Sequence, residues 1–279
     1  MSQTFHYPRV LTIAGSDSSG GAGIQADLKT FSALGCYGMT AITALTAQNT
    51  LGVSGIHGVP PAFLKAQLAA VLDDIGVDAV KIGMLHAPEV VEVVAWAIDT
   101  YRLERVVLDP VMVATSGDRL IEEATVSALV RELFPRATVV TPNLDEAGLL
   151  LGRPVRDESE LEGACADLLA LGARAVLLKG GHLGGDLLTD VLALADAPAA
   201  YWQHLTGPRI ASRNVHGTGC TLSSAIAAHL ALGHPLDEAV QAAHGYIRGA
   251  IEAGAGVRTG GGHGPLNHGH APVPMRLLG

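Results

Sequence analysis

A glycine-rich segment at 214–221 contains residues whose types and spacing suit phosphate chemistry. It precedes an alanine-rich stretch that predicts a helix over 222–232, so the backbone N–H groups of Gly217, Thr218 and Gly219 would lie at a helix N-terminus. Such N–H donors form an anion hole of the kind that phosphoryl groups occupy. Cys220 would follow in the first turn, where the helix dipole lowers the pKa of a thiol from about 8.5 toward neutrality. A thiolate there can accept a hydroxyl proton; the alternative is that Cys220 is a small packing residue.

A second glycine-rich segment lies near the N-terminus, over 15–27. It follows the first predicted strand and leads into a helix expected to begin near Ile24. Closely spaced glycines at such a turn allow a ligand to contact backbone N–H groups. The spacing matches part of the dinucleotide-binding fingerprint, but Gln48 and Asn49 stand where that fingerprint needs an acidic residue. No Lys-Ser/Thr pair follows the glycines as in a P-loop. The segment therefore predicts either a cradle for a small ligand or a turn with only a packing role.

Polar residues follow three further apolar runs, at the points where parallel strands would end. They are Asp109, the pair Asn143 and Glu146, and Lys179. Ligands of open α/β sheets bind beyond the carboxyl ends of the strands, so we expect these side chains to meet in one crevice. Asp109 and Glu146 can hold Mg²⁺ through waters, with substrate phosphates completing the coordination shell. Since Asp-Pro is also a common turn, the argument rests on the three sites together.

Strand-like apolar runs alternate with helical patterns along the chain, and this alternation predicts the scaffold. The runs lie at 9–14, 40–47, 78–82, 105–108, 138–141 and 175–178. Apolar residues at helical spacing occupy 61–74, 88–98, 222–232 and 236–253. Such βαβ units give a mostly parallel sheet with helices on both faces. The predicted fold class is therefore α/β, a three-layer α/β/α sandwich, in a single domain over 1–279.

Two stretches depart from the alternation. Small polar and apolar residues alternate from residue 40 and are followed by Gly52, Gly55 and Gly58, which predicts an edge hairpin or lid around 38–60. The stretch 254–270 holds seven glycines and three histidines without a periodic apolar face. We interpret it as a hydrated loop rather than a metal site.

Composition limits the classes of function. With 18 Lys and Arg against 27 Asp and Glu, the net charge of −9 opposes binding to nucleic acid or an anionic membrane. The chain is 48% apolar and 16% charged, which excludes disorder as the default state. The N-terminal apolar run is too short for a signal peptide or a membrane span, so we expect a cytoplasmic protein. Cys36 and Cys165 are expected to be buried thiols.

The motifs together resemble the hydroxymethylpyrimidine and phosphomethylpyrimidine kinases of thiamine biosynthesis, within the ribokinase-like superfamily. The matching segments are 15–35, 42–50, 81–85, 107–112, 141–143, 179–182 and 216–221. They occur in order over nearly the whole chain. Sugar kinases of the superfamily carry Asp where Cys220 stands, so this version of the motif is similar to that of the pyrimidine kinases.

The resemblance implies ATP with Mg²⁺ as phosphoryl donor, two successive pyrimidine substrates, and a homodimer paired through the lid-like strands. By position, it implies a pyrimidine pocket lined by Gly15, Ala22, Asp27, Gln48 and Met84. The amide of Gln48 would recognise the ring nitrogen and the exocyclic amine. Cys220 would be the base, and the backbone from Gly217 to Cys220 the anion hole. The residues that would bind the metal and the nucleotide phosphates are Asp109, Asn143, Glu146, Lys179 and His216.

Two residues depart from the family pattern. Ser18 stands where the family usually has proline, which we expect to loosen the first loop slightly. Gly261 stands where the family often has lysine, so Lys179 would neutralise more of the phosphate charge, or Arg258 would reach in. Two alternatives remain open: a pyridoxal kinase of the same superfamily, and a pyrimidine sensor that has lost phosphoryl transfer.

Overall fold

Ten strands are found in the part of the chain that the computed structural model describes, residues 5–112, 121–181, 183–197 and 201–279. They are β1 (Arg9–Ala14), β2 (Tyr37–Ile42), β3 (Ala44–Asn49), β4 (Gly52–Gly58), β5 (Ala79–Ile82), β6 (Val106–Leu108), β7 (Val139–Val140), β8 (Ala175–Leu178), β9 (Leu187–Leu194) and β10 (Tyr201–Pro208). Eight of them form the central sheet, in the order β10-β9-β8-β7-β6-β5-β1-β2.

The sheet is mostly parallel, as predicted. The six strands from β2 to β8 in the sheet order run parallel to their neighbours, while β9 and β10 add an antiparallel edge. The sequence patterns did not predict β9 and β10. Their side chains are partly exposed on one edge of the sheet, so they lack the uninterrupted apolar run of the inner strands.

Helices cover both faces of the sheet. They are α1 (Gly23–Ala33), α2 (Pro61–Leu72), α3 (Pro88–Tyr101), α4 (Glu123–Ala128), α5 (Leu144–Leu151), α6 (Leu161–Ala170), α7 (Thr218–Ala231) and α8 (Leu236–Gly254). Helices α1, α7 and α8 share one buried core with the sheet, and α2 to α6 share the other. The predicted three-layer α/β/α sandwich is confirmed. Among the described residues, no helix has both the length and the apolar character that crossing a bilayer requires.

The inner strands contribute to both cores because successive side chains of a strand point to opposite faces. In β6, Val107 belongs to the core beneath α7 and α8, whereas Val106 and Leu108 belong to the other core. All three are fully buried, and each such side chain contributes about 1.5–3 kcal/mol by leaving water. The strands are therefore held firmly, and so are the residues that directly follow them.

The region predicted as an edge hairpin divides into two parts. Its first residues, in β2, form the edge strand of the central sheet, and β3 and β4 form a separate antiparallel pair. A bulge between Ala47 and Gln48 shifts the register of this pair. Because a bulge redirects the side chains that follow it, Gln48 does not simply continue the alternation of the strand.

Candidate active site

One cavity of 660 Å³ lies beyond the carboxyl ends of the parallel strands. The residues predicted from the sequence that line it are Gly15, Ala22, Gln48, Met84, Asp109, Asn143, Glu146, Lys179, His216, Gly217, Thr218, Gly219 and Cys220. Of the predicted site residues, only Asp27 is not among those that line the cavity. The fold therefore brings both glycine-rich segments and the polar strand ends to the same space.

The two glycine-rich segments pack directly against each other beside the cavity. Gly217 has a φ of 88°, and a Cβ atom there would lie 1.9 Å from the carbonyl oxygen of Gly21. Only glycine fits both the backbone conformation and this close approach. Helix α7 begins immediately afterwards, at Thr218, four residues before the predicted start. The N–H of Thr218, predicted as part of the anion hole, instead donates to the carbonyl oxygen of Val215 at 3.2 Å. Gly219 and Cys220 follow in the first turn and line the cavity, and a helix N-terminus leaves such N–H groups without an intrahelical acceptor.

Cys220 lies in the first turn of α7, as predicted, but the expected shift of its pKa is wrong. Burial raises the pKa of the Cys220 thiol to about 11; Asp27 and Asp109 raise it as well, and Lys81 lowers it. The helix dipole contributes only partial charges. It is outweighed here by the loss of solvent and by two carboxylates. Cys220 remains the least buried of the three cysteines, since Cys36 and Cys165 are both fully buried as predicted.

Asp109 is an ionised carboxylate held by cationic and hydroxyl groups. Its Oδ1 accepts from Lys179 Nζ at 2.9 Å and from Thr141 Oγ1 at 3.0 Å, and Ser223 Oγ donates to Oδ2 at 3.3 Å. Although burial opposes ionisation, the charges of Lys179 and Lys81 hold the pKa of Asp109 below its usual range. Lys179 is therefore at the place that the sequence predicted, next to the acid with which it was expected to act.

Glu146 and Asn143 form a capping box at the start of α5. Asn143 Oδ1 accepts from the Glu146 N–H at 2.9 Å, and Glu146 Oε2 accepts from the Asn143 N–H at 2.8 Å. A contact from Asn143 to a nucleotide would therefore use its amide nitrogen. Burial raises the pKa of Glu146 to about 7, and the charge of Asp109 acts in the same direction while Lys179 opposes it.

The two acids suit a hydrated divalent cation. Among the described residues, no three His, Cys, Asp or Glu side chains converge into a complete metal cage. Mg²⁺ does not need one, because it is commonly bound by one or two carboxylates together with waters and phosphate oxygens. Burial and the charge of Asp109 make Glu146 difficult to ionise, and a bound cation would favour its ionised form. The residues present thus fit Mg²⁺ with substrate phosphates.

The opposite side of the cavity is formed by the first glycine segment and the hairpin. A Cβ atom on Gly15 would lie 2.8 Å from Met84 Cε, so the glycine makes room for the methionine. Gln48 is half-buried, and its Oε1 lies 3.1 Å from the hydroxyl of Thr46. Val53 adds an apolar contact surface. This side combines apolar side chains with the amide of Gln48, which suits a small heterocyclic ring.

Ser18 ties the first loop to the hairpin instead of loosening it. Its hydroxyl donates to the carbonyl oxygen of Gln48 at 2.8 Å and accepts from the Gln48 N–H at 2.9 Å. A proline at this position could make neither bond. The expectation that Ser18 loosens the loop is therefore wrong, because the serine hydroxyl finds both partners on one residue of β3.

Asp27 does not line the cavity, so its predicted contact with the pyrimidine is wrong. It is fully buried between α1 and the sheet, where Lys81 Nζ lies 2.9 Å from Oδ1 and 3.0 Å from Oδ2. Thr12 Oγ1 and Ser224 Oγ also donate to it, at 2.6 and 2.7 Å. These hydrogen bonds engage both oxygens of the Asp27 carboxylate. The sequence analysis missed Lys81, although a lysine within the apolar run 78–82 was a visible signal.

His216, which was expected to contact the nucleotide, connects the two glycine segments through its ring. Its Nε2 lies 2.8 Å from Asp17 Oδ2, which also accepts from the N–H groups of Gly21 and Ala22. Burial opposes the ionisation of Asp17, but the hydrogen bonds from His216 and Ser19 hold its pKa well below the usual range. His216 is thus a structural link, and Asp17 is a buried anion that the sequence analysis did not single out.

The glycine-rich tail is packed against the rest of the fold at a few points, while residues 256–261 are exposed, as expected for a hydrated loop. His268 is buried, with Nε2 3.1 Å from the carbonyl oxygen of Gly21. The N–H of His263 donates to the carbonyl oxygen of Thr50 at 3.0 Å, which links the tail to the turn of the hairpin. Long-range packing of this kind leaves no periodic pattern in the sequence.

The far end of the cavity was not predicted. Arg258 is not among the lining residues; Arg209 and Arg248 line this end instead, with Asp190 and His244. Asp190 lies in β9, His244 and Arg248 lie in α8, and Arg209 directly follows β10, all without any motif, so the sequence offered no signal for them. His182, the last residue of the 179–182 motif, lies outside the described residues.

Comparisons with known proteins agree with this geometry. The family model for phosphomethylpyrimidine kinase matches residues 17–267. The hydroxymethylpyrimidine/phosphomethylpyrimidine kinase of Rhizobium meliloti is 52% identical, with 93% of this chain and 96% of that protein covered. The thiamine biosynthesis bifunctional protein ThiED of Geobacter sulfurreducens is 53% identical over 94% of this chain, but the chain spans only 53% of that protein.

A solved structure supports the fold assignment. The pyridoxal kinase from Staphylococcus aureus, in complex with AMP-PCP and pyridoxal, matches with a TM-score of 0.86 at 35% identity, covering 95% of this chain and 94% of that one. The ribokinase-like architecture expected from the motifs is confirmed. The family match includes most of the first glycine segment, the acids that follow β6 and β7, and the glycine-rich segment before α7. The chain belongs to the phosphomethylpyrimidine kinase family.

Proposed function

We propose that this kinase transfers the γ-phosphoryl group of ATP to 4-amino-5-hydroxymethyl-2-methylpyrimidine, and then to the resulting monophosphate, in thiamine biosynthesis. The observation that carries the proposal is the meeting of two glycine cradles in one cavity, the anion hole at α7 and the amide-bearing wall at Gln48. The volume of 660 Å³ lies within the range of small-molecule sites.

The pyrimidine would lie between Met84 and the first glycine segment. The side-chain amide of Gln48 offers a donor and an acceptor, which complement the ring nitrogen and the exocyclic amine of an aminopyrimidine. The Thr46 hydroxyl lies 3.1 Å from the oxygen of that amide and 2.8 Å from the carbonyl oxygen of Ser16, which places the amide beside the first glycine segment. Gly15 and Ala22 have no bulky side chains, which lets the ring approach the backbone.

The nucleotide would occupy the opposite end. That end is lined by the aliphatic side chains Leu188, Ile210, Ile247 and Ile251. An adenine ring fits such an apolar space, and the phosphates would then extend toward the first turn of α7 and Lys179. Arg209 and Arg248 line the same end and would add positive charge there.

Phosphoryl transfer mainly requires positioning and charge stabilisation. The N–H groups of Gly219 and Cys220 would bind the transferred group, and Lys179 would balance its charge. Asp109 and Glu146 would hold Mg²⁺, which screens the phosphate charge when it is bound. Cys220 would accept the proton of the substrate hydroxyl as that oxygen attacks phosphorus.

The proposal includes a single domain that pairs with a second copy through its hairpin. Leu45, Leu51 and Ile56 are exposed on β3, its turn and β4, which is more apolar surface than a free hairpin needs. It also includes a cytoplasmic location, where ATP is available and three unpaired thiols stay reduced. Nucleic acid and membranes are not proposed as partners, since the net charge is −9.

A coupled assay of ADP release tests the function. The pyrimidine alcohol, its monophosphate and pyridoxal are compared as acceptors, with product masses determined for each. We expect turnover with the first two to exceed turnover with pyridoxal. Pyridoxal remains the second candidate because the matching structure at a TM-score of 0.86 is a pyridoxal kinase. A higher kcat/KM for pyridoxal would select that alternative, and binding of the pyrimidine without any ADP release would indicate a sensor.

A further inference from the structure

A completely buried ion pair lies behind the anion hole. The side chains of Lys81 and Asp27 both have no exposed surface, and the ammonium contacts both carboxylate oxygens. Placing two charges in a protein interior costs several kcal/mol per ion, and an apolar pair could fill the same space without that cost. None of the contacts described so far requires these charges. The pair therefore needs an explanation beyond packing.

The pair is adjacent to Cys220. Strand β5, which carries Lys81, packs against α7, and Lys81 and Cys220 line the same cavity. Ser224 follows Cys220 by one helical turn, so the two side chains share a face of α7. Ser224 donates to Asp27 at 2.7 Å, which places that face of the helix directly over the ion pair. Thr12, the register partner of Lys81 on β1, holds the carboxylate from the other side.

Charged groups on several elements act on the Cys220 thiol, and a hydrogen bond from the Gly23 backbone also favours the thiolate. Asp27 on α1 and Asp109 after β6 disfavour the thiolate, as does burial, which is the largest influence. Lys81 on β5 favours the thiolate, and Lys179 after β8 interacts favourably with a thiolate at Cys220 too. Lys179 is already bound to Asp109 at 2.9 Å. Lys81 is thus the cation on the buried side of α7 that compensates for the lost solvent.

We propose that Lys81 is a positioning residue for phosphoryl transfer: Asp27 holds its ammonium beneath Cys220, where the positive charge stabilises the thiolate that accepts the substrate proton. This rests on the proposed function, in which Cys220 is the base. The thiolate lone pair takes the hydroxyl proton while the oxygen bonds to the γ-phosphorus and the bond to the ADP oxygen breaks. The thiol then returns its proton to solvent. Asp27, with Thr12 and Ser224, keeps the ammonium in place.

Alkylation of Cys220 by iodoacetamide tests the proposal without any substrate. The rate is followed by mass spectrometry as a function of pH, and the fully buried Cys36 and Cys165 serve as internal references. An opposite charge within a few ångströms favours the charged form by one or more pKa units, so Lys81→Met should slow alkylation about tenfold or more near pH 8. Asp27→Asn, which retains the lysine, should accelerate it. The double variant should lie between the two.

Two results would overturn the proposal. One is alkylation of Lys81→Met at the wild-type rate. The other is a change of the same sign in both single variants, because a packing defect has no reason to distinguish the two charges. If Lys81→Met does not fold by circular dichroism, Asp27→Asn and the double variant still decide, since they differ only in the lysine. Equal rates for those two would refute the role of its charge.

Turnover separates this proposal from the function on which it rests. We expect the ascending limb of the pH–rate profile to move to higher pH in Lys81→Met, with little change in the KM for ATP. An altered alkylation rate with an unmoved profile would refute Cys220 as the base, and this proposal with it. Normal alkylation with ADP release on the pyrimidine would refute Lys81 alone and leave the kinase function standing.

Discussion

Replacement of Gly217 by alanine should disable the enzyme while leaving it folded. The added Cβ would lie 1.9 Å from the carbonyl oxygen of Gly21, whereas Cβ atoms essentially never approach such atoms more closely than 3.0 Å. The two glycine segments must then separate by about 1 Å. Misplacement of that size in a site that works by positioning costs on the order of 10²-fold in rate. We therefore expect kcat/KM to fall by about that factor.

A matched control separates the clash from the backbone conformation. Gly233 has a φ of 91°, close to the 88° of Gly217, but a Cβ there would meet no atom within 4 Å. Gly233→Ala should therefore lower the free energy of unfolding by only about 1–2 kcal/mol, the cost of a left-handed residue, with normal turnover. ADP release and urea denaturation are measured for both variants. If Gly217→Ala keeps near-normal turnover and loses no more stability than Gly233→Ala, the contact between the segments does not position the site.

Four further predictions concern individual side chains. Cys220→Ala should lower kcat by about 10²-fold with little change in the KM for ATP, the usual effect of losing a general base; near-normal turnover would leave Cys220 a packing role. Gln48→Ala should weaken pyrimidine binding about tenfold to a hundredfold by calorimetry, since an unpaired polar edge costs about 1–3 kcal/mol, and an unchanged Kd would refute the contact. Asp109→Asn or Glu146→Gln should raise the Mg²⁺ concentration for half-maximal rate, and turnover should stop in EDTA; activity in excess chelator would exclude the metal assignment. Asp17, whose pKa is held low in the folded state by hydrogen bonds despite its burial, should stabilise the fold above its unfolded pKa of about 4 and lose this contribution as the pH falls toward its folded pKa. Asp17→Asn and wild type should then differ in unfolding free energy at pH 7 and converge in acid, and a constant difference would refute the linkage.

The segments that the sequence identified correctly have requirements that are local in the chain. A helix N-terminus after closely spaced glycines exposes N–H groups wherever the helix packs, so a helix N-terminus beside the cavity near Gly219 was predictable. The placement of Asp109 and Glu146 beside one cavity was predictable as well, because Asp109 directly follows β6, Glu146 lies in the first turn of the helix after β7, and these two strands are parallel. The start of α7 was placed four residues late, since glycine and threonine have low helix propensity and only the packing of Gly217 on Gly21 fixes that turn.

The charge states could not be predicted from the sequence, because they depend on partners that are distant in the chain. Asp27 finds Lys81 54 residues away, and Asp17 finds His216 199 residues away. Burial reverses the expected shift in the pKa of Cys220, and burial is a property of the assembled layers. The amino-acid sequence by itself thus determined the scaffold, the cradles and the family, all of which follow from local pattern. Only the tertiary structure decided which carboxylate faces the ligand and which pairs with a buried lysine, because electrostatic energies depend on distance and solvent access rather than on order along the chain.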